Sequence, residues 1–167
     1  MQIRSIAQAS SVNIETLALV LSVAVESILK YTKVKSKISK DEMATAKGLT
    51  GYFEKWNGSE QIKTRVRGLL SMLSTPSAKM LLNELVKTKA TTLNHKKAWD
   101  KLRNKVAHGE MMAASSLQEF LNLTNVALVL FYHLVFHIID YQGKYTDYSI
   151  DGWPELDYPL SKSYPKP

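Results

Sequence analysis

The sequence predicts an all-α fold, a helical bundle of about five or six helices, and three observations carry that expectation. Apolar residues recur three and four apart through most of the first 140 positions. Residues that start helices stand at the beginnings of those segments, and no strand-rich region precedes residue 141.

Asn13 can cap a first helix whose apolar residues fall at Ile14, Leu17, Leu21, Ala24, Ile28 and Tyr31. Lys30, Lys33, Lys35, Lys37 and Lys40 follow, a run that reads either as a solvated face or as a track for an RNA backbone. Ser39 and Glu42 stand at capping-box spacing and open a second helix carrying Met43, Ala46, Phe53 and Trp56. Asn57-Gly58-Ser59 is a turn, and Ile62, Val66, Leu69, Leu70 and Leu73 mark a third helix, on which Arg65 and Arg67 read as surface charges. Pro76 at a first helical position restarts the chain for a short helix through Leu81, Leu82, Leu85 and Val86.

Thr91 or Thr92 can cap the next helix, on which Leu93, Trp99, Leu102 and Val106 form an apolar back and Lys96, Lys97, Lys101, Arg103 and Lys105 a cationic front. Trp99 reads as core, and His95 as a polar first-turn residue without a companion ligand. Ser115 and Ser116, with Gln118 and Glu119, give overlapping capping boxes for the longest helix, Leu117 to Asp140, about 36 Å at 1.5 Å per residue. Its later part is apolar nearly all round, which fits buried core or an oligomer interface better than a membrane span, because Asn122, Asn125, His133 and His137 interrupt it. His133 and His137 have zinc-ligand spacing, but Leu134, Val135 and Phe136 lie between them where a zincin would place a glutamate; both read as structural. The domain is expected to span 1–140, with a Tyr/Pro-rich tail, 141–167, packing on it as an irregular strap.

Composition narrows the function. The chain of 167 residues has no cysteine, which excludes disulfides, thiolate metal sites and thiol nucleophiles. Residues 140–167 carry a net −2, so the +7 total leaves +9 on the body and favours an anionic partner, most economically nucleic acid. The N-terminus shows no charged region followed by an apolar run, so a cytoplasmic location is the expectation.

One stretch concentrates chemistry. Trp99-Asp100-Lys101-Leu102-Arg103-Asn104-Lys105-Val106-Ala107-His108-Gly109-Glu110 holds a planar phosphate-binding fork, an amide, an imidazole and a glycine placed to stop a helix. On an unbroken helix Arg103 and His108 stand roughly 140° apart, so a break near Gly109 or a second chain must bring their chemistry together. Glu26, set among Val23, Ala24, Val25 and Ile28, is either a solvent-facing carboxylate or the partner that orients Arg103. Without further context the stretch also reads as a basic, solvated helix end with His108 in the cap.

The pattern Arg103-Asn104-x-x-x-His108-Gly109, flanked by Leu102 and Val106, resembles the Arg-x(4 to 6)-His signature of HEPN domains, closest to the ApeA-like branch. The resemblance rests on about twelve residues and, more loosely, on the helical layout. It implies a metal-independent endoribonuclease without a cofactor, in which His108 is general acid or base, Arg103 stabilises the scissile phosphate and Asn104 positions one or the other. The product would be a 2′,3′-cyclic phosphate. It further implies a twofold homodimer, with RNA such as tRNA or mRNA as substrate and Lys96, Lys97, Lys101 and Lys105 as its contacts. Such domains serve phage defence and toxin systems, restrained by an antitoxin or an N-terminal sensor domain. A helical module that only dimerises or binds RNA or nucleotide is the alternative.

Overall fold

A computed structural model describes residues 13–34, 38–73, 75–107 and 117–160. In order these form α1 (Ile14–Leu29), α2 (Lys40–Lys55), α3 (Glu60–Leu73), α4 (Ala78–Lys87), α5 (Leu93–Ala107), α6 (Leu117–Ile138), β1 (Gly143–Thr146) and β2 (Glu155–Tyr158). The fold is all-α, as expected, and adds one small two-stranded sheet. Its contacts gather into two compact units, residues 1–34 with 82–167, and residues 35–81.

In the first unit α1, α5 and α6 pack pairwise. Asn13 Oδ1 accepts from the Thr16 amide at 2.7 Å and starts α1. The face that α1 buries is Ala18, Leu21, Ser22, Ala24, Val25 and Leu29, which keeps Leu21 and Ala24 of the expected stripe and turns about one position round from the rest; Tyr31 lies beyond the helix, 64% exposed. The helix is apolar on most sides, so it fits two partner helices at once and leaves Leu19 and Val23 in solvent. Ala18 and Ala127 leave room for Leu102 and Phe120, and this cluster joins α1, α5 and α6. Helix α6 is long and apolar enough to cross a membrane, yet it is the central packing element here, with Phe120, Ala127, Leu130 and Leu134 buried.

Two helix ends in this unit close without glycine. Lys89 (φ 60°) follows α4, with the Ala90 amide donating to the Leu85 carbonyl at 2.9 Å. Asp140 (φ 52°) follows α6, and Tyr141 donates to Phe136 at 2.9 Å. The second turn lays the Tyr141 ring on Phe136, centroids 4.7 Å apart, and sends the chain into β1.

The tail is more regular than the expected strap. β1 and β2 pair antiparallel, with Gly143 opposite Tyr158 and Tyr145 opposite Leu156. Period-two alternation sends Tyr145 and Tyr158 inward and leaves Lys144 and Asp157 outside. A two-stranded sheet is marginal alone. This one is seated on Val129, with Phe136, Tyr141, Leu156 and Leu160 around the tyrosines. Gly143 is required by close approach, since a Cβ there would lie 2.7 Å from the Tyr141 hydroxyl.

In the second unit α2 and α3 form a helical hairpin. Ser39 and Glu42 make the expected capping box, both bonds at 3.0 Å. Arg67 grips Glu54 with Nε and a terminal nitrogen at 2.7 and 2.9 Å. Only Ala46 is buried among the described residues of α2, and none is in α3. Pro76 does not occupy the first position of α4: the Ser77 hydroxyl accepts from the Met80 amide at 3.3 Å and takes the cap, which leaves proline outside.

Candidate active site

Helix α5 starts at Thr92, whose hydroxyl accepts from the His95 amide at 3.2 Å, and its buried stripe is His95, Ala98, Trp99 and Leu102. Leu93, expected on that stripe, is 50% exposed because the stripe begins two residues later. Trp99 has no exposed surface, and its indole N–H donates to the Ser22 carbonyl of α1 at 3.3 Å. This pins α5 to α1 one turn before Arg103.

Arg103 is held on two sides. Its Nε stands 2.6 Å from Glu26 Oε1, and its guanidinium carbon lies 5.8 Å from the Trp99 ring centroid. Both charged side chains keep substantial exposure, 45% for Arg103 and 40% for Glu26, so the fork is oriented without being sealed from solvent. Asn104 is exposed on the next position round the helix. His108 and Gly109 lie outside the described residues, as do Ser115 and Ser116.

The four lysines expected to contact RNA do not form one front with Arg103. Lys96 shares the arginine's side of the helix, but its Nζ is 3.4 Å from Asp100 Oδ2 and its side chain is only 15% exposed. Lys101 and Lys105 are two positions from Arg103, so helical geometry sets them about 160° away. Lys97 is exposed in line with Lys101 and Asn104, likewise turned away from Arg103. An arginine lifted from a pattern of alternating cations shares a face only with residues three, four or seven away, and here these include Lys96, Asp100 and Trp99.

Neither of two clefts in the chain, about 190 Å³ beside His137 and Tyr141 and about 460 Å³ beside Ala46 and Met72, is lined by Arg103, Asn104 or Glu26. The Arg103 side chain itself keeps 45% of its surface exposed. Comparison with protein-family models, characterised proteins and solved structures finds no match for this chain. What the surface can do follows from its own residues: a fixed guanidinium fork that accepts one phosphate, beside an amide that can donate and accept.

Of a polar cluster deeper in the same unit, the sequence anticipates only His133, as a structural residue. His95 and His133 are buried at 1% and 0% exposure, with ring centroids 4.8 Å apart, edge to face. Thr91 Oγ1 meets His95 Nδ1 at 3.1 Å, and the Tyr145 and Tyr158 rings stand 5.0 and 5.4 Å from His133. Asp147, fully buried after β1, accepts from the Ser149 amide at 2.9 Å and from its hydroxyl. Burial pushes the His95 imidazole down to about 4 although Asp147 pulls it up. Burial, with His95 beside it, pushes His133 down to about 2. Burial also raises Tyr158 to about 12. The signal for His95 was present in its spacing: it stands three, four and seven positions before Ala98, Trp99 and Leu102.

Proposed function

We propose that this chain is a metal-independent endoribonuclease of the HEPN type, with Arg103 as phosphate clamp and His108 as proton carrier. The observation that carries the reading is the Arg103 fork, fixed by Glu26 at 2.6 Å and braced on Trp99, five residues before the only His-Gly pair in the sequence. Holding a guanidinium in one orientation on an exposed surface suits a polymer whose phosphates arrive from outside.

In the proposed reaction the ribose 2′-hydroxyl loses its proton to a base, the 2′-oxygen bonds to phosphorus, and the bond from phosphorus to the 5′-oxygen breaks. The departing oxygen takes a proton, leaving a 2′,3′-cyclic phosphate and a 5′-hydroxyl. His108 is the group suited to one of these transfers near neutral pH, and Arg103 neutralises charge that grows on the phosphoryl oxygens. Asn104 positions one or the other. Glu26 acts on Arg103 rather than on RNA. In this reading a twofold dimer sets a second motif opposite the first. An antitoxin or sensor domain would restrain such an enzyme, and phage defence or a toxin system is the setting proposed for it.

The Arg103–Glu26 pair also favours a second reading, a module that binds RNA or nucleotide without cutting, because a paired arginine can serve as a structural contact. Incubation of a mixed tRNA and mRNA pool with purified protein in EDTA separates the two. The nuclease reading predicts cutting by the parent and none by Arg103→Ala or His108→Ala, both remaining folded. Binding without cutting supports the module, and retained cutting by both variants overturns the assigned site.

A further inference from the structure

The α2–α3 hairpin carries a second surface whose chemistry the Arg103 site does not use. Tyr52 is 68% and Trp56 38% exposed, large rings left in solvent on a unit that buries little else. Phe53 stands between them, half-buried, with edge-to-face centroid distances of 5.8 Å to Tyr52 and 6.2 Å to Trp56. The Trp56 indole lies against the turn at Gly58, where an added Cβ would fall 2.2 Å from the ring. The rings are thus braced from behind while retaining open surface.

The surrounding charge is cationic. Residues 35–81 contain nine lysines and arginines against four acids, a net +5. Two of those acids are already engaged, Glu54 by the Arg67 fork and Glu60 by Lys63 at 2.9 Å. Lys55 and Arg65 are exposed and, among the described residues, make no ion pair. The Glu54–Arg67 contact joins α2 to α3 just before the aromatic end of α2.

We propose that this end of the hairpin binds single-stranded nucleic acid, with Tyr52 and Trp56 stacking unpaired bases and Lys55 and Arg65 meeting the phosphates. Exposed π-faces interleaved with unengaged cations are what a strand with accessible bases requires. A second copy of the hairpin fits worse, since it would bring one +5 surface against another.

The test is fluorescence anisotropy of a labelled oligothymidylate of about 12 nucleotides with the full chain. Lacking 2′-hydroxyls, this probe reports binding whether or not Arg103 and His108 cut RNA. The combined Tyr52→Ala and Trp56→Ala variant is expected to weaken binding tenfold or more, and the corresponding double phenylalanine variant to stay within about twofold of the parent. Lys55→Ala with Arg65→Ala should lower the slope of log affinity against log salt by about 1.4. The parent should prefer the strand to a duplex of equal length. Circular dichroism checks that each variant is folded, which the exposure of all four side chains favours. Failure of the parent to bind, an alanine variant that binds like the parent, or equal affinity for duplex would overturn the proposal. So would a variant that alters sedimentation and leaves strand binding unchanged, which assigns the surface to self-contact.

Discussion

Arg103 illustrates how little stability an exposed contact supplies. Its pair with Glu26 is nearly half exposed, and such pairs contribute about 0–1 kcal/mol. Glu26→Gln is therefore expected to leave the urea midpoint almost unchanged while RNA cleavage falls through kcat more than KM, because a loosened fork still attracts phosphate but aims poorly. A large loss of stability instead would make Glu26 a structural residue. Arg103→Lys should be nearly as inactive as Arg103→Ala, since an ammonium cannot reproduce the planar fork. Trp99 sits at the other extreme: Trp99→Ala removes a fully buried ring and should cost about 3–5 kcal/mol in denaturant unfolding. The sequence leaves Glu26 between a solvent-facing carboxylate and a partner of Arg103, and the structure shows it paired while still 40% exposed. The engagement of Lys96 by Asp100 was equally open, because a pair at i, i+4 competes with solvent and the sequence does not say which wins.

At the scale of elements, the β-hairpin and helices α5 and α6 meet around two buried imidazoles. The groups facing them are Thr91 before α5, Asp147 after β1, Tyr145 on β1 and Tyr158 on β2. Both histidines are held neutral, with folded values of about 4 for His95 and about 2 for His133. An unfolded chain protonates them near pH 6.5, so between that pH and the folded values the unfolded state binds more protons. Stability contributed by this cluster is complete above about pH 6.5 and declines as the pH falls, by up to about 1.4 kcal/mol per unit for each histidine. Urea titrations from pH 8 to 4 should show this decline, shallower in His133→Leu; an unchanged acid limb in that variant would contradict the burial argument. The hairpin was hard to anticipate because its inward tyrosines are separated by turn residues and alternate over only four positions in each strand. Caps, by contrast, are local, and Asn13 and the Ser39–Glu42 box could be read directly.

For the whole molecule, the helical class followed from periodicity, whereas the division into two compact units did not. Ile62, Leu69 and Leu73 have good helical spacing and remain 49%, 65% and 53% exposed, because spacing defines a face and says nothing of what covers it. The proposed nuclease leads to an expectation at this scale: sedimentation should show a dimer at working concentration, and a stable monomer even with RNA present would count against paired motifs. The central claim is attack by the ribose 2′-oxygen at a phosphate held by Arg103, and one measurement reaches it most directly. An RNA with a mapped cut is resynthesised with a single 2′-deoxynucleotide on the 5′ side of that bond, and the product ends are identified. The account predicts that this cut alone disappears and that remaining cuts leave 2′,3′-cyclic phosphates. Continued cleavage at the deoxy position would contradict it.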